Sequence, residues 1–281
     1  TAQPNSLVTA YTMQYAQNLV TLRFGVDKGM IIHNNASLKM DFVTLDACNG
    51  KWNGIDVYWD GVLEAEGCRI NNAFIGVDVF ARSAENSIVQ CSLLRCEFNN
   101  STTSIKLQPR TNSVIETALI QSGGEIGIDI QNVNVFYGAA GTQINTTDNK
   151  TVISGLHTEN QTQAGIRIVR NGAQGDFPSN NPMLVSELGG RYVNCKTGIL
   201  VALGINHPID VHIKGAVFED FPFNSTAIDL QGWIRNVRIT DCSGIQPVPN
   251  PNNSNTNTRA IHILRPNSQA NIEIDHNNFN S

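Results

Sequence analysis

Short stretches in which apolar and polar residues alternate recur along the chain. The commonest is a small residue followed by an apolar, a polar and a second apolar residue, and successive copies are 22 to 38 residues apart. Alternation with a period of two is typical of a strand with one buried and one solvent-facing side. Eight copies can be read: Gly54–Val57, Gly76–Val79, Ser104–Leu107, Gly127–Ile130, Gly165–Ile168, Gly198–Val201, Ala227–Leu230 and Ala260–Ile263.

A second alternating stretch lies between these copies, as in Val211–Lys214 and Val237–Thr240. It often leads to a bulky apolar residue followed by Asn, Glu or Asp, as at Phe98 and Phe218. A constant strand core with a variable spacing predicts a parallel β-helix, because insertions are accommodated at the corners between stacked strands. Long segments with a period of 3.6 residues are missing, which disfavours a helical solenoid.

The N-terminal pattern is less regular. Apolar residues between Thr9 and Leu22 favour a short helix or cap, and regular coils begin at Met30. We therefore expect an N-terminal cap or irregular segment at residues 1–29 and a β-helix domain at residues 30–281. No capping element is recognisable after the last repeat, so we expect either a fragment of a longer chain or an end covered by a partner subunit.

Composition narrows the possible functions. Only 15% of the residues are charged and 23 are Gly, which disfavours a mostly helical protein. The net charge of −5 argues against nucleic acid as the main partner. No apolar run approaches the roughly 18 residues that a bilayer-spanning helix needs, so membrane insertion is not expected. The six cysteines lack the spacing of a metal site and are expected to be mainly buried free thiols.

The Gly-Ile-x-Ile and Phe-x-Asn units, together with the segment Ile153–Asn160, resemble the pectate-lyase-like right-handed parallel β-helix family. Within that family the chain most resembles bacteriophage tailspikes, and the resemblance covers about residues 30 to 281. It implies an all-β, right-handed β-helix of roughly nine to ten coils. It also implies a homotrimer, found in the virion tail or outside the cell, that binds and usually cleaves a bacterial surface polysaccharide.

The polar residue at the centre of each repeat is expected on the outer surface, where neighbours in a column lie about 5 Å apart. Two interpretations of this column remain open. Asp56 and Asp78 form a carboxylate pair that binds Ca²⁺, or the column is a solvated face on which Lys106 and Arg167 neutralise the carboxylates. The column consists of Asp56, Asp78, Lys106, Asp129, Arg167, Leu200, Asp229 and His262.

A second outward column is expected at the ends of three later strands. If Thr158, Val193 and Phe218 face inward, then Glu159, Asn194 and Glu219 face outward. Glu159 and Glu219 would lie two strands apart, about 9.6 Å, close to the carboxylate separation of inverting glycosidases. The remaining candidate contacts to sugar are His157, Tyr192, Arg167 and Asp129, and the aromatic residues Trp52, Tyr58 and Trp59, which sugars can stack against if the rings are exposed.

Three functions follow. The first is a tailspike-type depolymerase that hydrolyses a capsule or O-antigen glycan, with Glu159 and Glu219 as the acid and base, His157 assisting them, and no cofactor. The second is a polysaccharide lyase that binds Ca²⁺ at Asp56, Asp78 and Asp129 and uses Arg167 or Lys106 as base. The third is a spike that binds glycan, or only supports it, without cleavage.

Overall fold

The computed structural model describes residues 7–10, 20–33, 35–58, 60–80, 89–108, 111–121, 124–137, 150–170, 183–186, 188–203, 208–244 and 258–279. Within these ranges the chain forms strands, turns and bends, and no helix. None of the described residues accordingly belongs to a helix long and apolar enough to cross a membrane.

Twenty-eight strands follow one another along the described chain. They are β1 (Leu7–Ala10), β2 (Val20–Phe24), β3 (Gly29–Ile32), β4 (Ser37–Asp41), β5 (Val43–Ala47), β6 (Gly54–Tyr58), β7 (Val62–Glu66), β8 (Arg69–Asn71), β9 (Ile75–Phe80), β10 (Val89–Leu94), β11 (Glu97–Asn99), β12 (Thr103–Leu107), β13 (Thr111–Glu116), β14 (Leu119–Gln121), β15 (Ile126–Gln131), β16 (Asn134–Tyr137), β17 (Lys150–Ser154), β18 (His157–Glu159), β19 (Ala164–Arg170), β20 (Met183–Ser186), β21 (Gly190–Val193), β22 (Thr197–Leu203), β23 (Ile209–Lys214), β24 (Ala216–Glu219), β25 (Thr226–Thr240), β26 (Ser243–Gly244), β27 (Arg259–Asp275) and β28 (Asn278–Phe279).

All strand pairs are parallel, and the strands form three rows that the chain visits in turn. Row 1 contains β3, β6, β9, β12, β15, β19, β22 and the first halves of β25 and β27. Row 2 contains β1, β4, β7, β10, β13, β17, β16, β20, β23 and the second halves of β25 and β27.

Row 3 is a separate sheet of ten strands, whereas β25 and β27 join rows 1 and 2 into one sheet of 18 strands. The two sheets are open, and neither closes into a barrel. The expectation of an all-β protein is confirmed, and long parallel sheets of this kind are compatible with a β-helix or another solenoid.

The parallel pairing begins earlier than residue 30. β1 pairs with β4 in row 2, and β2 pairs with β5 in row 3. The prediction of a helix between Thr9 and Leu22 is therefore wrong for the first and last residues of that segment, which lie in β1 and β2. Residues 11–19 lie outside the described part. Tertiary pairing accounts for this, because Val20 and Leu22 align with Val43 and Leu45 of the next strand.

Row 2 holds one additional strand in its middle. β16 and β17 both come from the segment between β15 and β18, and they lie side by side between β13 and β20. This longer segment between two repeats therefore contributes an extra strand to the sheet, and residues 138–149 between the two strands lie outside the described part.

Single residues with a left-handed backbone produce the bend that follows row 3. Asn72, Asn100, Asn160, Asn194 and Asp220 have φ between 49° and 56°, a conformation that Asn and Asp adopt more readily than most other residues. Their side chains also connect the repeats, because Asn100 Nδ2 donates to Asn72 Oδ1 at 2.7 Å and Asn194 Nδ2 donates to Asn160 Oδ1 at 2.6 Å. The Asn of the Phe-x-Asn unit is thus a bend residue.

Candidate functional site

The two carboxylates proposed as acid and base lie on the same outer column of row 3. Glu159 aligns with Val193 of the next strand, and Val193 aligns with Glu219 of the strand after it. Two strand spacings correspond to about 9.6 Å. The register thus places the two carboxylates two strands apart, as expected, but Val193 and not Asn194 lies between them, because Asn194 forms the bend.

Tyr192 is consequently placed wrongly by the sequence prediction. It aligns with Thr158 and Phe218 on the inner side of row 3 and is fully buried. Its ring stacks on the ring of Phe218 with centroids 5.3 Å apart, and its hydroxyl donates to the carbonyl oxygen of Gly189 at 2.9 Å. A sugar on the outer surface cannot reach this side chain, so Tyr192 belongs to the core.

Each of the two carboxylates has a basic neighbour. Nε2 of His157 lies 2.8 Å from Oε1 of Glu159. Arg191 donates from Nε to Oε2 of Glu219 at 2.9 Å, and its Nη2 contacts the same oxygen. The hydrogen bonds that Arg191 donates to Glu219 raise the pKa of Arg191, because the carboxylate stabilises the charged guanidinium.

Arg191 is a site residue that the sequence reasoning missed. The sequence does contain a signal that could have identified Arg191. In the segment Gly190–Val193 a charged residue precedes a large aromatic one, and in an alternating strand the charged residue is expected to face outward. The two outer positions of β21 are therefore Arg191 and Val193, and the aromatic ring between them faces the core.

A cleft of about 440 Å³ opens at the outer end of row 3, next to Glu219. It forms where the two-residue strand β26 ends at Gly244, which brings no side chain. Gly244 has φ of 111°, and a Cβ there would lie 1.8 Å from the carbonyl oxygen of Phe218. The lining residues are Val217, Phe218, Glu219, Asp220, Ser243, Gly244 and Asn278. Glu159 is not one of them, so one carboxylate of the pair borders the cleft and the other lies beyond it.

The outer column of row 1 has the order predicted from the sequence. The strand registers place its first five members on successive strands: Asp56, Asp78, Lys106, Asp129 and Arg167. The column then continues through Leu200 and Asp229 to His262. Its last two members are Asp229 and His262, whose Oδ1 and Nδ1 atoms are 2.9 Å apart.

Cations on the following strands neutralise the buried carboxylates of this column. Nζ of Lys106 lies 3.4 Å from Asp78, which also accepts a hydrogen bond from Gln108 at 2.8 Å. Arg167 donates to both oxygens of Asp129, at 2.9 and 2.7 Å. The interpretation in which Lys106 and Arg167 neutralise the column is thus the one that the ion pairs support. Asp129 is only 3% exposed, so it is poorly placed for the sugar contact expected of it.

Asp56 and Asp78 lie side by side without a cation between them. Burial raises the pKa of Asp56, and the neighbouring charge of Asp78 raises it further. Burial also raises the pKa of Asp78, although hydrogen bonds from Gln108 and Lys106 oppose the shift. Across the described ranges, no group of three or more His, Cys, Asp or Glu side chains is arranged to hold a metal ion.

The aromatic candidates have different surroundings. Trp52 is fully buried, stacks on Phe24 at 4.3 Å and donates from Nε1 to the carbonyl oxygen of Asn71, so the expected contact of Trp52 with sugar is wrong. Tyr58 is half-buried in an outer stack between His33 and Phe80, with centroids 5.4 and 5.1 Å away. Trp59 lies outside the described residues.

Two separate faces therefore hold the candidate residues. Glu159, Glu219 and His157 share row 3, whereas Arg167 and Tyr58 lie on row 1. Comparisons with models of protein families, with curated proteins and with solved structures gave no match. Row 3 thus offers two carboxylates on one outer column, of which Glu219 borders the cleft, with an arginine beside Glu219 and a histidine beside Glu159.

Proposed function

We propose that the protein is a right-handed parallel β-helix of nine to ten coils that binds and hydrolyses a bacterial surface polysaccharide on row 3. The alignment of Glu159, Val193 and Glu219 carries this proposal. It separates two carboxylates by about 9.6 Å, near the upper end of the range in which one carboxyl protonates the leaving oxygen and the other activates water.

The neighbours of the carboxylates suggest their roles. Glu219 is ion-paired with Arg191 and borders the cleft, which suits a carboxylate that stays ionised and activates a water molecule. With Glu219 assigned to the water molecule, Glu159 is left for the other role, and His157 is its neighbour. Glu159 is therefore the proton donor in this proposal, and Val193 leaves space for the sugar between the two groups.

Three further statements belong to this proposal. The protein acts without a cofactor, it assembles as a homotrimer, and it is located in a virion tail or outside the cell. They rest on the resemblance of the repeats to tailspikes and on the parallel sheets, which are compatible with such a shaft.

The lyase alternative has one observation in its favour, the neighbouring carboxylates of Asp56 and Asp78 with their raised pKa. A Ca²⁺ ion between them would relieve the repulsion between the two charges. Its proposed bases are weakly placed, however, since Lys106 and Arg167 are each held by an aspartate. Hydrolysis on row 3 is for this reason the first proposal.

A digestion panel of capsules and O-antigens, with and without a chelator, tests these alternatives. We expect new reducing ends, no ultraviolet absorbance from unsaturated uronates, and no effect of the chelator. Replacing Glu219→Gln or Glu159→Gln should lower the rate by about 10²- to 10⁴-fold, which is the usual contribution of a general acid or base.

Glu97→Gln is the matched control. Glu97 also lies on row 3, and it pairs with Arg69 on the neighbouring strand at 2.8 Å with exposure similar to that of Glu219 and Arg191. This variant should retain full activity. Absorbance that disappears with chelator would transfer the proposal to the lyase, and binding of a glycan without any cleavage would identify a recognition spike.

A further inference from the structure

Two buried cysteines occupy equivalent positions in successive repeats of the core, each in the short turn between a row 2 strand and a row 3 strand. Glu66 aligns with Leu94 before these turns and Arg69 aligns with Glu97 after them, with two residues between these positions in each repeat. Cys68 and Cys96 are therefore directly opposite. Neighbouring strands are about 4.8 Å apart, which falls within the range of Cα separations that a disulfide bridges.

The two thiols donate to carbonyl oxygens around these positions. Cys96 Sγ donates to the carbonyl oxygen of Ala65, which belongs to the same repeat as Cys68, at 3.4 Å. Cys68 Sγ donates to the carbonyl oxygens of Met40 and Glu66, at 3.4 and 3.5 Å. The neighbouring Cys68 and burial both raise the pKa of Cys96. Both side chains are fully buried.

We propose that Cys68 and Cys96 form a disulfide within the core when the chain folds in an oxidising medium, so that two successive repeats become covalently joined. The oxidant is a low-molecular-weight disulfide such as oxidised glutathione. Burial of both thiols shields them afterwards, so the bond forms during folding and is then resistant to reduction.

The reaction proceeds by two exchanges. The thiolate of Cys68 attacks the oxidant and releases one reduced glutathione. The thiolate of Cys96 then attacks the sulfur of Cys68 in the mixed disulfide and releases the second reduced glutathione. The two cysteines lose two electrons and two protons, and the glutathione disulfide gains them.

Refolding from denaturant in glutathione buffer, followed by alkylation and peptide mapping, tests the proposal. We expect a peptide pair linked through Cys68 and Cys96, and all other cysteines alkylated. We also expect the melting temperature to exceed that of the reduced protein by about 5 °C or more, because the crosslink constrains the unfolded chain.

The same inner column supplies the controls. Ala118 and Ala216 occupy it in other repeats, so Cys68→Ala should fold, form no crosslink and lose the temperature shift. Cys242 follows Ala216 in the column and has no cysteine opposite it, so Cys242→Ala should retain both the crosslink and the shift. Alkylation of both Cys68 and Cys96 after oxidative refolding, or a bond from Cys96 to Cys91, would overturn the proposal.

Discussion

The glycine that begins the repeated motif of row 1 leaves space for an aromatic ring from row 3. A Cβ on Gly198 would lie 2.6 Å from Cε1 of Phe218, and one on Gly165 would lie 2.6 Å from Cδ1 of Tyr192. Both distances are shorter than van der Waals contact allows. The small residue in Gly-Ile-x-Ile is therefore a packing requirement between two rows, and it predicts no functional role for these glycines.

Replacing Gly198→Ala tests this explanation. The new methyl group would meet the ring of Phe218 and the carbonyl oxygen of Ala227 at 2.7 Å, and overpacking of this kind costs about 1–3 kcal/mol of unfolding free energy. Urea denaturation followed by circular dichroism measures the difference. At Gly25 the nearest atom to a new Cβ is Cγ of Lys28 at 3.6 Å, so Gly25→Ala should cause little change. Equal stability of the two variants would refute the packing argument.

At the scale of the strands, ion pairs between neighbouring repeats organise the outer faces. Some connect exposed side chains, such as Arg238 with Glu273, whereas the pair of Arg167 and Asp129 includes a carboxylate whose side chain is 4% exposed. An exposed pair contributes little because water solvates both groups. A buried carboxylate without its partner is costly to stability, because water cannot reach it to solvate the unpaired charge.

We therefore expect Arg167→Met to destabilise the protein by about 2 kcal/mol or more. Asp129 would stay buried without its cation, and among the described residues Gln131 would be its remaining side-chain donor. Arg238→Met removes a pair with half-exposed partners and should cost less than about 1 kcal/mol. Unfolding midpoints in urea at pH 7 compare the variants. A loss for Arg167→Met no larger than that for Arg238→Met would contradict this account.

At the scale of the whole molecule, apolar side chains remain on the surface of the last repeats. Leu264, Ile272, Ile274 and Trp233 are between 41% and 49% exposed. Ile272 and Ile274 align with Val237 and Ile239, which face the core. Exposed apolar groups that lie close together are typical of surfaces that bind other proteins.

The proposed homotrimer predicts that this surface is covered in the assembly. Sedimentation equilibrium should give three times the mass of one chain, and Ile274→Lys should shift the distribution toward monomers, because a buried lysine would lose its solvation at the contact. Lys214→Gln changes a solvent-exposed residue of the same row and should leave the mass unchanged. A single species with the mass of one chain would contradict the trimer.

Local alternation of residue types was sufficient to predict the all-β class, the parallel repeats and the order of the outer column from Asp56 to His262. A side chain in a strand points to one face or the other according to its position alone, so this information is local. The neutralisation of Asp129 by Arg167 could be foreseen for the same reason, as their positions in successive repeats are equivalent.

Only the tertiary structure decided where the chain bends after each strand and which side chains are buried by residues from distant parts of the sequence. The left-handed bend at Asn194 shifts the strand before it by one position relative to the predicted alignment, which turns Tyr192 into the core and Val193 outward. Trp52 is buried because Phe24, 28 residues earlier, stacks on it. The cleft beside Glu219 requires three strands to meet around Gly244. Such contacts join residues far apart in the chain, and a one-residue change in register alters every one of them.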